Sequence, residues 1–69
     1  MIYKNKRQQR FKNILDLIIE GKTNAEIASI LGFSLITIKK DVSFLFKKYK
    51  VKNRIELAIE YFAELQVAF

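Results

Sequence analysis

Apolar positions recur at helical intervals along this chain, in four blocks separated by short polar breaks. Phe11, Ile14, Leu15, Ile18 and Ile19 fall at i, i+3, i+4, i+7 and i+8, the period of an amphipathic helix. Gly21 follows, and glycine takes the left-handed C-terminal cap conformation without steric cost. The pattern predicts a first helix over about 8–20. Thr23-Asn24-Ala25-Glu26 fits a capping box, in which hydroxyl and carboxylate each satisfy the other residue's free amide. A second helix follows over about 24–31, with Ala25, Ile27, Ala28, Ile30 and Leu31 giving it a largely buried surface. Gly32-Phe33-Ser34 breaks the chain, and Ser34 is a good N-cap for a third helix over about 35–49.

In that third helix Ile38, Val42, Leu45 and Tyr49 form one apolar stripe, while Lys39, Lys40, Ser43, Lys47 and Lys50 lie off it. Val51, in the link that follows, is expected to plug the core. Asn53 with Glu56 opens a fourth helix over about 54–67. Its apolar residues occupy two faces: Ile55, Ile59 and Phe62 on one, Leu57, Ala58, Tyr61 and Leu65 on the other. The second set can fill the domain's own core. The first is expected to face outward and pair with a second copy, weakly, since one helix pair is a small interface. The expected class is all-α, a four-helix domain.

Composition narrows what such a domain does. With 69 residues there is one domain at most, and chains this small bury only about 60% of their unfolded surface. Cysteine and histidine are absent, which excludes disulfides and the usual zinc sites; no cofactor is expected. Met1–Arg10 is polar and basic rather than signal-like, and no apolar stretch is long enough to span a membrane. A cytoplasmic protein is the expectation.

The net charge is +6, and its distribution matters more than its sum. Lys4, Lys6, Arg7 and Arg10 crowd the N-terminus, where residues 1–7 are expected to form a mobile basic arm ahead of a domain over 8–69. Lys39, Lys40, Lys47, Lys48, Lys50, Lys52 and Arg54 form a second basic zone against Asp41 alone. Glu56, Glu60 and Glu64 make the C-terminal part acidic. Two basic zones suggest a polyanionic partner.

Two short helices joined by a glycine-containing turn outline a helix-turn-helix. In that motif the second helix enters the DNA major groove, and its first residues meet base edges and phosphates. Thr37, Lys39, Lys40 and Ser43 stand there, all able to hydrogen-bond. Any small helical bundle with tight turns shows the same caps, however, and lysines on a helix back are usually solvated. Spacing alone leaves both readings open.

The stretch GKTNAEIASILGFSLITIKKDVSFLFKKYKVKNRIELAI closely resembles the LuxR/GerE-type (NarL-like) DNA-binding domain of bacterial transcription regulators. The resemblance is carried by Gly21-Lys22-Thr23-Asn24, Glu26-Ile27-Ala28, Leu31, Ser34, Thr37-Ile38-Lys39, Val51, Asn53-Arg54 and Glu56. It implies double-stranded DNA as partner, the third helix as reading helix and the fourth as dimer contact. By alignment it places Lys39, Lys40 and Ser43 toward the groove, Lys22, Asn24 and Thr37 near the DNA backbone, and Lys48 at a common basic position. It likewise implies Ile55, Ile59 and Phe62 as the dimer surface, and admits RNA polymerase as a further partner. Three positions depart from the family pattern: Phe11 replaces a usual glutamate, Asp41 a common histidine, and Phe44 a position that tends to be polar. Asp41 is thereby expected as an anion close to the DNA, repelling phosphates or orienting Lys39 or Lys40. Most members carry a receiver or ligand-sensing domain ahead of this one, so both a stand-alone regulator and a fragment fit.

No histidine, cysteine, phosphate-cradling glycine loop or nucleophile–base pair supports an enzyme. A fragment like the promoter-reading region of a sigma factor is the nearest alternative, against which the Val51-x-Asn53-Arg54 link speaks. A helical protein-interaction adaptor that has lost DNA binding is the alternative from another class.

Overall fold

Asn5 caps the first helix: its side-chain oxygen accepts from the Gln8 amide at 2.9 Å. In the computed structural model, which describes residues 5–67, α1 therefore spans Lys6–Ile19 and starts two residues before the apolar period predicts. Lys6 and Arg7, expected in the basic arm, are helical, and Met1–Lys4 lie outside the described residues. The helix closes in a Schellman motif. Gly21 at φ +86° donates to the Ile18 carbonyl and Lys22 to that of Leu17, which satisfies two of the end carbonyls a helix leaves free.

The Thr23–Glu26 capping box is formed as expected, at 2.8 and 3.1 Å, and opens α2 (Asn24–Leu31). Gly32 ends it at φ +75°. Ser34 accepts from the Thr37 amide and opens α3 (Leu35–Tyr49). The α3 terminus repeats the Schellman pattern, with Lys50 and Val51 donating to the carbonyls of Lys47 and Phe46. Here Lys50, not a glycine, stands at positive φ (57°). For α4 (Arg54–Val67), Asn53 accepts from the Glu56 amide, while the Glu56 carboxylate reaches past Asn53 to the Lys52 amide.

Every helix contributes to one core. Ile14, Ile27, Ile38, Leu45 and Leu57 are fully enclosed, with Phe11, Leu15, Ile18, Ala28, Val42 and Tyr61 around them. α3 packs on α1, α2 and α4, and α1 packs on α4. α2 is less buried than its sequence predicts. Ala25 and Ile30 are exposed, because a two-turn helix leaning mainly on α3 turns only Ile27, Ala28 and Leu31 inward. On α4, Leu57 and Tyr61 point into the core, whereas Ile55 (74% exposed), Ile59 (60%) and Phe62 (53%) face outward, as the two-face reading expects. Among the described residues no helix is long and apolar enough to cross a membrane.

Candidate nucleic-acid interface

The outward face of α3 starts from its stripe. Burying Ile38, Val42 and Leu45 leaves the opposite arc to Ile36, Lys39, Lys40, Ser43 and Lys47, all exposed. Lys39, Lys40, Ser43, Phe44 and Lys47 line one shallow depression. Three expected groove residues are thus brought together, and Lys47 joins them. Ile36, at 67% exposure, is the apolar member of this face.

The remaining expected residues lie outside that depression. The Thr37 hydroxyl accepts from that of Ser34 at 3.0 Å, so both side chains are organised at the α3 N-terminus. Lys48 is exposed but lies along a different groove, with Gln8, Lys12, Tyr49 and Glu64 on its walls. Lys22 and Asn24 are half-buried and tied to Arg54. Arg54 Nη1 donates to the Asn24 side-chain oxygen at 2.7 Å and Nη2 to the Lys22 carbonyl at 2.6 Å. Burial lowers the guanidinium's pKa. This fork fastens the start of α4 to the α1–α2 turn. At the same turn the Thr23 backbone N–H holds the Glu26 carboxyl below its usual range, with the Thr23 hydroxyl next.

Asp41 does not lie on the exposed face of α3. It is 7% exposed and turned toward α1, where its two oxygens accept from Arg10 Nε at 2.7 Å and Nη2 at 3.1 Å. The expectation of an anion near DNA, or of one orienting Lys39 or Lys40, is corrected on this point. At the boundary between the α3 face and the core, a carboxylate is stable only if a cation meets it, and α1 supplies one. The other two departures meet at the same seam. The Phe11 and Phe44 rings stack with centroids 5.3 Å apart and an interplanar angle of 22°. Arg7 lies 5.1 Å from both centroids, and Arg10 also covers the Phe33 ring at 5.1 Å.

Sequence reasoning put Arg7 and Arg10 in the N-terminal basic zone and missed that they reach Phe44 and Asp41 across the α1–α3 seam. A signal existed, since Phe11, Asp41 and Phe44 all break the family pattern and all lie on the α1–α3 seam.

A four-helix domain whose α2–turn–α3 unit presents a basic, hydrogen-bonding face is a helix-turn-helix DNA-binding domain. The chain matches the model of the bacterial regulatory proteins, luxR family, over residues 8–61, and it belongs to that family. It is similar to the probable transcriptional regulator ycf29 of Pyropia yezoensis, 49% identical over 45 residues, covering 65% of this chain and 20% of that protein. It is 38% identical over 52 residues to the transcriptional regulatory protein DesR of Bacillus subtilis (strain 168), covering 75% and 26%. To the nitrate/nitrite response regulator protein NarL of Escherichia coli (strain K12) it is 38% identical over 55 residues, covering 80% and 26%. The chain spans between 20% and 26% of the length of these relatives. The family is one of DNA-binding domains of transcription regulators, not a class of enzymes.

Proposed function

We propose that this domain binds double-stranded DNA sequence-specifically within a transcription regulator, with α3 in the major groove and α4 pairing two copies. The observation that carries the reading is the exposed cluster of Lys39, Lys40, Ser43 and Lys47 around one depression on α3. Lysine ammonium groups donate to guanine O6 and N7 or to phosphate, and a serine hydroxyl serves either role. Ile36, exposed on the same face, suits the apolar methyl of thymine. By the family resemblance Lys22, Asn24, Thr37 and Lys48 serve phosphates beside the groove, fixing register rather than sequence.

Titration of random and selected duplexes at two salt concentrations tests the reading. DNA binding through phosphates weakens steeply with salt, whereas an apolar adaptor does not. The K39A/K40A double variant is expected to lose roughly 1–3 kcal/mol per base-contacting lysine, with relaxed preference. Binding of the best site as tight as in the unaltered protein would sink the placement of α3.

A further inference from the structure

We propose that Arg7 is an additional phosphate contact, held beside the reading helix by the stacked Phe11–Phe44 pair. The proposal rests on the reading of α3 as the groove helix. It begins with the Asn5 cap, which makes Arg7 part of the first turn of α1 and so fixes its backbone. Phe11 stands one helical turn on, at i+4, on the same side of α1. Its ring stacks on Phe44 across the seam. The Arg7 guanidinium lies 5.1 Å from each centroid, and the centroids are 5.3 Å apart. Cation and rings thus form a nearly equilateral triangle, and one side chain bridges two helices.

Three observations direct that guanidinium toward a polyanion. Arg7 is exposed, and among the described residues the ion pairs join Arg10 to Asp41 and Lys12 to Asp16, leaving Arg7 outside them. A guanidinium attracted to aromatic rings has its five N–H donors still to satisfy, in the planar fork that matches phosphate. Phe44 itself lines the depression formed by Lys39, Lys40, Ser43 and Lys47, with Lys40 and Lys47 one turn to either side of it on α3. Arg7 therefore continues the basic row of α3 on the α1 side, where a phosphate flanking the groove would pass. Arg10 cannot fill this role, because its fork is closed on Asp41.

The test compares R7Q, F44L and the combined variant of the full chain with the K39A/K40A protein. Folding is checked by circular dichroism and melting. R7Q is expected to weaken binding severalfold for selected and random duplexes alike, and to lower the salt slope by about one per bound protomer. In the F44L background the same change should add little, since the shelf is gone. If R7Q leaves affinity and slope unchanged while K39A/K40A weakens binding, the Arg7 contact is overturned and the α3 reading stands. If R7Q costs as much in the F44L protein as beside Phe44, the positioning role of the ring pair is overturned. If neither R7Q nor K39A/K40A weakens binding, both readings fail.

Discussion

Arg10 on α1 and Asp41 on α3 form a two-pronged ion pair across 31 residues of sequence, with side chains 26% and 10% exposed. The unequal exposure makes the two partners unequal in their consequences. Arg10→Met strands a carboxylate that is nearly out of water. Asp41→Asn strands a guanidinium that solvent still reaches, and leaves an amide oxygen for it. Losing one member of a buried pair costs about 3–5 kcal/mol, and solvent access reduces this. We expect about 3 kcal/mol for Arg10→Met and about 1 for Asp41→Asn, where a domain of this size loses about 4–8 °C per kcal/mol. Thermal melts of the two variants check the order, and an equal loss in both would mean that the carboxylate is not the costly group.

What could be read from the sequence follows from the range of each interaction. Caps act over three or four residues, so Thr23–Glu26, Ser34, Gly21 and Gly32 announced themselves. Asn5 escaped, because the apolar period begins only at Phe11 and nothing nearer marks a helix. The direction of α4 was legible because two stripes competed and only one could be inside. The Arg10–Asp41 pair and the Phe11–Phe44 stack were not legible, since 31 and 33 residues separate their members. In one sequence such couplings show only as separate oddities.

Lys50 offers a gain in stability. It holds the left-handed position after α3 at φ 57°, where a β-carbon crowds the backbone. Glycine takes this conformation without that penalty, as Gly21 and Gly32 do at the equivalent ends of α1 and α2. Lys50→Gly should therefore stabilise the domain by about 0.5–1 kcal/mol, the rest of the left-handed advantage being offset by the greater freedom of glycine when unfolded. Denaturant midpoints measure this, and a lower midpoint would show that the Lys50 side chain contributes more than its backbone costs.

Stability should also fall at high pH, through the contacts of α4 with α1 and α3. Tyr61 donates to Asp16 at 2.7 Å, Lys12 donates to the same carboxylate, and Tyr49 donates to Glu64 at 3.1 Å. Burial raises both tyrosine pKa values above the ordinary 10.0. The hydrogen bond to Asp16, followed by that to Tyr61, raises Lys12 above 10.5. In each case the unfolded chain releases its proton first. The stabilisation is therefore complete below about pH 10 and is lost as pH rises through the folded values. Glu26 behaves oppositely: its lowered pKa stabilises above the ordinary 4.5 and is lost as pH falls. Melting temperature against pH should decline above 10, and Tyr61→Phe should blunt the decline while costing about 0.5–1.5 kcal/mol at neutral pH. A flat alkaline profile in the unaltered protein would contradict this account.

Pairing through α4 is the prediction that links packing most directly to DNA binding. Ile59 and Phe62 line a shallow apolar depression with Ala58, Ala63 and Ile19 of α1, and Ile55 lies one turn away on the same side. An exposed isoleucine–phenylalanine stripe of this kind usually marks an association site. A two-fold pair of such faces would bury it on both copies and hold two reading helices about one DNA turn apart. The face is narrow, however, and stable interfaces bury about 1,200–2,000 Å². The pair should therefore be weak in free solution and complete on a duplex carrying two half-sites. Ile59→Glu is the decisive change, because Ile59 is exposed while Leu57 and Tyr61 beside it hold the core. The variant should keep its helical circular dichroism and its affinity for a single half-site, and lose cooperative binding to the paired site. If cooperativity survives Ile59→Glu in a folded protein, the two copies meet elsewhere and the stripe is left without a partner of its own kind.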